Sequence, residues 1–202
     1  MGKGSAVNAY TDLVFDISAA SLPACYPFAL WDAISAQVPE LQHDERVGVL
    51  PLRGAPSGDR LLLSRRSKLV LRVPVELAEA SSRLAGAELA IDGERVALGA
   101  ARLRAITHYP TLHAQLAVGC CDEAEFVASV QRHFAENHID AQIICGMRSA
   151  LISGTRSLSG YSLVLHDLKP EASVLLQCIG IGEGRKFGCG IFIPYKVITD
   201  LE

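Results

Sequence analysis

Between positions 180 and 190 the chain places five glycines, Gly180, Gly182, Gly184, Gly188 and Gly190, around the adjacent cations Arg185 and Lys186. Glycine lets backbone N–H groups come close to a polyanion, and guanidinium and ammonium groups hold its charge. The chemistry this spacing suggests is phosphate binding. The apolar run Gly190 to Ile193 reads as a strand, which anchors the loop in a sheet. Two better-known phosphate loops do not fit. A dinucleotide fingerprint needs a strand before the loop and a helix after it, with an acidic residue about twenty positions on. Here a helix-like segment precedes and a strand follows. A P-loop needs Lys followed by Ser or Thr, whereas Lys186 is followed by Phe187. A glycine-rich turn chosen for tight packing alone is the competing reading.

A second cationic group, Arg60, Arg65, Arg66, Lys68 and Arg72, falls within thirteen residues. Arg66, Lys68 and Arg72 share one strand face by period two, opposite Leu69 and Leu71, so they could track phosphates while the other face packs. A solvated charged face is the alternative. Arg53, Arg148 and Arg156 extend the track or are surface charges. Asp122, Glu123, Glu125, Glu136 and Asp140 crowd a separate segment, so a basic groove is compatible with the net charge of −3, which by itself speaks weakly against nucleic acid. No paired aromatics of a base-stacking sheet occur.

Cys25, Cys120, Cys121, Cys145, Cys178 and Cys189 form no C-x-x-C pair, and His108, His138 and His166 have no metal-ligand spacing, so neither zinc nor another cofactor is expected. His113 and His133 lie on apolar faces and read as core or rim residues. Met1 to Ala6 lacks the apolar run of a signal peptide, and no run of about 18 apolar residues could span a membrane, so the expected location is the cytoplasm.

The elements that must position these groups follow from periodicity. Strands are expected at 10–18, 47–52, 61–64 and 68–73, the last two as a hairpin turning at Arg65–Ser67; further strands at 87–91 and 96–98 form a second hairpin. Helices are expected at 26–38 and 74–84. The second half repeats the order, with strands at 102–107, 112–118, 142–145, 161–165 and 190–194, helices at 122–137 and 170–179, and Ser149 to Ser153 ambiguous. Half of the 202 residues are hydrophobic, enough for a sizeable core. The fold class is therefore α+β, with two tandem ferredoxin-like (βαββαβ, RRM-like) units built on antiparallel sheets, residues 1–99 and 100–202, meeting near Gly99.

At this point the residues resemble a known family. The stretch from Phe187 to Pro194, together with Val47 to Gly54, Ser64 to Leu69 and Asp12 to Phe15, is similar to the CRISPR-associated repeat-processing endoribonucleases, the Cas-six family of the RAMP superfamily, in its short myxan-type branch. The resemblance runs from about residue 10 to 196. It implies binding of CRISPR repeat RNA, of stem-loop form, and metal-independent cleavage of precursor RNA into guide RNAs. It also implies effector-complex subunits as further partners. The implied reaction is attack of a ribose 2′-hydroxyl on the adjacent phosphate, leaving a 2′,3′-cyclic phosphate and a 5′-hydroxyl, which needs a base, an acid and surrounding cations. The chain departs from the branch at two places where histidine is expected: the first helix opens with Cys25-Tyr26-Pro27-Phe28, and Leu50 stands within the Val-Gly-Val-x-Pro segment. Other branches use tyrosine with histidine, so Tyr26 is the leading catalytic candidate and His43 the nearest imidazole. Tyr26 could equally be a helix-start aromatic packed on the sheet, and His43 an ordinary loop histidine. The resemblance and the cation pattern together make Arg53, Arg65, Arg66, Lys68, Arg72, Gly182, Gly184, Arg185, Lys186 and Gly188 the expected RNA contacts. A repeat-RNA binding subunit that has lost cleavage, and a ferredoxin-like protein that binds another anion or protein, are the rival readings.

Overall fold

The computed structural model describes residues 9–195; Met1 to Ala6, with its expected absence of a signal peptide, lies outside them. The first unit contains β1 (Tyr10–Ser18), β2 (Ser21–Pro23), α1 (Tyr26–Gln37), β3 (Gly48–Val49), β4 (Ala55–Ser57), β5 (Arg60–Leu62), β6 (Lys68–Pro74), α2 (Ala78–Ser82), β7 (Glu88–Ile91) and β8 (Glu94–Arg104). The second contains β9 (Leu112–Val118), α3 (Glu123–Glu136), β10 (Gln142–Ser153), β11 (Arg156–His166), α4 (Pro170–Ile179) and β12 (Ile193–Pro194). The sheets run β3-β6-β1-β8-β7 and β10-β11-β9-β12, antiparallel throughout. Setting aside β7, an edge hairpin partner of β8, both sheets have the 2-3-1-4 order of a ferredoxin-like unit.

Alternation on β1 explains how the first unit is layered. Leu13, Phe15 and Ile17 point to one face and pack with Trp31 and Ile34 of α1 and with Leu69 and Leu71 of β6. Each such burial contributes roughly 1.5–3 kcal/mol. The second core gathers Leu112 and Ala114 with Phe126, Val130 and Phe134 of α3 and Leu163 and Leu165 of β11. The α3 helix begins where expected, because the Asp122 carboxylate accepts the Glu125 N–H at 2.8 Å. No described helix is long and apolar enough to cross a membrane.

Five expectations change. Arg60–Leu62 and Lys68–Pro74 are not a hairpin: β5 pairs with β2 and β4 in a separate small sheet, while β6 pairs with β1 and β3. Ser67 redirects the chain between them, its Oγ donating to the Arg53 carbonyl at 2.7 Å and accepting the Ser64 N–H at 3.0 Å. The strand expected at 102–107 is the end of β8, because β1 is long enough to hold it, with Asp12 opposite Arg104. Gly99 therefore lies inside a strand, and the crossover between units occupies residues 105–111. The helix expected at 74–84 reduces to a 3₁₀ turn at Val75–Leu77 followed by the short α2. Ser149 to Ser153, left ambiguous, belongs to β10, and the closing strand shortens to Ile193–Pro194.

The second face of the first sheet meets the second unit. Val14, Leu50 and Val70 pack on Ile191 there, with Ile193 at the margin. Beside this contact sits the fully buried Arg72. Its Nε and Nη2 donate to the Asp12 carboxylate at 2.8 and 3.1 Å, and its Nη1 donates across the interface to the Gln177 and Phe192 carbonyls at 3.0 and 3.1 Å. Four of the five donors of this planar fork are taken by one carboxylate and two carbonyls, which fixes the two units against each other.

Candidate nucleic-acid interface

A cleft of about 360 Å³ opens where the two units face one another. Arg53, Arg66, Lys68, Arg72 and Arg104 line it, with Asp12 as the carboxylate among them. Tyr109, Gln177, Ile193 and Pro194 form the opposite wall. The sheet register builds the cationic wall: β1 carries Asp12 and Asp16 on its outer face, and Arg72 and Lys68 on β6 stand opposite them. Lys68 and Arg102 both pair with Asp16, and these two bonds, Arg102's first, hold its carboxyl down to a pKa of about 2. Arg104 pairs with Asp12 at 2.8 Å yet stays about half exposed, at 53 %. Arg53, Arg65 and Arg66 are exposed.

The structure turns four of the expected RNA contacts inward: Arg72, Arg185, Lys186 and Gly188, the last buried with its N–H donating to the Arg185 carbonyl at 3.1 Å. Arg72 is sealed in the interface, 2 % exposed, and cannot track a backbone. Arg185 also turns inward, with Nη2 donating to the Cys178 carbonyl at 2.8 Å and to the Arg46 carbonyl at 3.4 Å. Its Nε and Nη1 have no acceptor among the described residues, and burial presses its pKa below the usual arginine value. Arg72 and Arg185 thus take two of the last carbonyls of α4, the negative end of that helix. Lys186 lies over the Trp31 ring, 5.6 Å from its centroid, and donates to the Gln42 carbonyl and Glu45 carboxylate, each at 2.8 Å.

The loop itself is folded onto both units. Gly180, Gly182, Gly184, Gly188 and Gly190 all have positive φ. At Gly190 the need is plain: a Cβ would lie 1.8 Å from the Ile181 carbonyl oxygen, which rests against it because the Ile181 N–H donates to Gly190 O at 3.0 Å. Phe187 packs against Phe28 of α1 with the rings tilted by 52° and their centroids 4.7 Å apart, and Gly188 is buried against Pro51. Gly182 and Glu183 face solvent and Gly184 is half-buried. Among the described residues the N–H groups of these three donate to no acceptor. What the loop offers outward is therefore amides rather than cations.

Neither catalytic candidate lines the cleft. Tyr26 is a core residue: its side chain is buried, its Oη accepts the Leu52 N–H at 2.9 Å, and burial pushes its hydroxyl up to a pKa of about 12. That corrects its assignment to proton transfer, because a sealed phenol that ionises only near pH 12 gives no base at neutrality. His43 is exposed in the turn after α1. Sequence reasoning missed Arg104 and Tyr109. The period-two pair Arg102 and Arg104 carried the signal for the first, hidden by assigning both to a separate strand.

Two ferredoxin-like units thus face one another across a cationic cleft, with a glycine loop folded onto both. Solved structures agree. A "CRISPR associated protein Cas6" superposes with a TM-score of 0.67 at 9% identity, covering 93% of this chain and 100% of that one. "An RAMP protein binding different RNA substrates" superposes with a TM-score of 0.65 at 11% identity, over 93% of this chain and 100% of that one. The family model described as Cas6 Crispr matches residues 11–197. The "CRISPR-associated endonuclease Cas6" of Myxococcus xanthus (strain DK1622) is 33% identical over 187 residues, covering 92% of this chain and 81% of that protein. The chain belongs to the Cas6 family.

Proposed function

We propose that this protein is an endoribonuclease that binds CRISPR repeat RNA and cuts precursor RNA into guide RNAs without a metal, by attack of a ribose 2′-hydroxyl on the adjacent phosphate. The observation that carries the reading is the cleft with four accessible cationic side chains, Arg53, Arg66, Lys68 and Arg104, against one lining carboxylate, in a chain 33% identical to a CRISPR-associated endonuclease. Arg53, Arg66 and Arg104, with the half-exposed Lys68, receive phosphates, Arg65 extends the track, and the open amides at Gly182 and Gly184 take a further one. His43, the exposed imidazole in the turn after α1, moves the proton. Tyr26 holds the Leu52 amide and so shapes the segment from Val49 to Arg53. The cyclic-phosphate guide RNA then passes to effector-complex subunits.

Incubation with the cognate repeat RNA in EDTA tests this directly: a 2′,3′-cyclic phosphate product supports it, and uncut RNA at saturating protein overturns the catalytic part. The burial of Tyr26 favours one alternative, a repeat-RNA binding subunit without cleavage, which predicts tight, stem-dependent binding of RNA that stays intact.

A further inference from the structure

The glycine loop and the His43 turn are far apart in sequence, yet they are bound together. Lys186 Nζ donates to the carbonyl of Gln42, the residue before His43, at 2.8 Å. It also donates to the Glu45 carboxylate at 2.8 Å. Its remaining approach is covered by the Trp31 ring, and the side chain is 13% exposed, so a phosphate has no open line to it. Arg185 Nη2 reaches the carbonyl of Arg46 at 3.4 Å. The turn is stiff between these two grips. Asp44 Oδ1 accepts the Arg46 N–H and Nε at 2.9 and 3.0 Å, its Oδ2 accepts Nη2 at 2.7 Å, and the Val47 N–H donates to Asp44 O at 3.2 Å. Within 42–46 the imidazole of His43 is left projecting into solvent from a backbone held on both sides.

We infer that Lys186 is a positioning residue, assisted by Arg185: the closing loop grips residues 42–46 and thereby sets where His43 stands relative to RNA lying on the same loop. The inference rests on the proposed role of His43. It gives the paired cations a task that a phosphate contact would not, coupling the loop that receives RNA to the turn that carries the proton. Displacing a reacting group by about 1 Å costs on the order of 100-fold in rate, so the grip matters to the chemical step more than to binding.

The test compares Lys186→Met, which keeps the stem over Trp31, with Lys186→Arg, which keeps a donor for the Gln42 carbonyl. Three quantities are read: the single-turnover cleavage rate at saturating protein, the repeat-RNA Kd across a salt series, and the NMR signals of the His43 ring. For Lys186→Met the rate should fall about 10- to 100-fold, with Kd within about twofold and the salt slope unchanged, while the His43 signals move. Lys186→Arg should recover most of the rate. Glu45→Gln, a surface change, should lower the rate about two- to fivefold and keeps the test open if Lys186→Met does not fold. A weaker Kd with a salt slope shallower by about 1, at unchanged saturated rate, would make Lys186 a phosphate contact and overturn the inference. Unmoved His43 signals would overturn it as well. Should wild-type protein leave the RNA uncut, the endonuclease reading fails by itself and the His43 signals alone decide the positioning.

Discussion

Tyr26 shows how one side chain's surroundings decide its chemistry. Its folded-state pKa of about 12 stands above the ordinary value of 10.0, so folding favours the protonated phenol. The stability this contributes is fully present below pH 10 and is lost as pH rises through about 12. Tyr26→Phe should remove that alkaline loss, lower stability at neutral pH by about 1 kcal/mol through the unpaired Leu52 amide, and leave single-turnover cleavage within a few-fold of wild type. Alkaline denaturation and a cleavage time course check both parts. His43→Ala should do the reverse: cleavage falls about 100-fold or more while Kd for repeat RNA and the melting temperature hold. For both residues the sequence left two readings open, and the structure has Tyr26 packed in the core and His43 exposed in its turn. Helical spacing places Tyr26 at the start of α1 without telling that the Val49 to Arg53 segment folds over its hydroxyl.

The glycine loop was found from composition, and its placement after a helix and before a closing strand proved right. The direction of its cations was not legible, since the partners of Lys186 lie 141 and 144 residues away and those of Arg185 include a residue 139 positions off. Local pattern also paired β5 with β6, because two short apolar runs around Arg65–Ser67 look like a hairpin; the longer β1 captured β6 instead. At this scale the prediction concerns Gly190, whose φ is +63 and whose Cβ would strike Ile181 O. Gly190→Ala should destabilise the protein by about 1–3 kcal/mol or more, seen in chemical denaturation. RNA affinity should fall with it, because the amides at 182–184 lose their arrangement.

For the whole molecule, Arg72 is the test of how the two units are joined. Removing it leaves the Asp12 carboxylate 2 % exposed with Arg104 as its remaining partner, so Arg72→Met should cost about 3–5 kcal/mol in unfolding free energy. The Asp12→Asn/Arg72→Met double variant should cost less than the sum of the two single changes. The tandem ferredoxin-like order was readable from element order alone, whereas the cleft was not, because it needs β8 to run on to Arg104 and Arg72 to be spent on the interface. The cleft's role in binding should appear in salt titrations: Arg53→Ala and Arg66→Ala should each flatten the log Kd against log salt slope by about 0.7–0.9. The most direct measurement of the central claim is a single-turnover assay in EDTA on repeat RNA, run beside the same RNA carrying a single 2′-deoxy sugar at the cut site. Metal-independent attack by the 2′-hydroxyl gives a 2′,3′-cyclic phosphate from the first and intact, equally well-bound RNA from the second; cleavage of the deoxy RNA, or cleavage only after a divalent metal is restored, would overturn that mechanism.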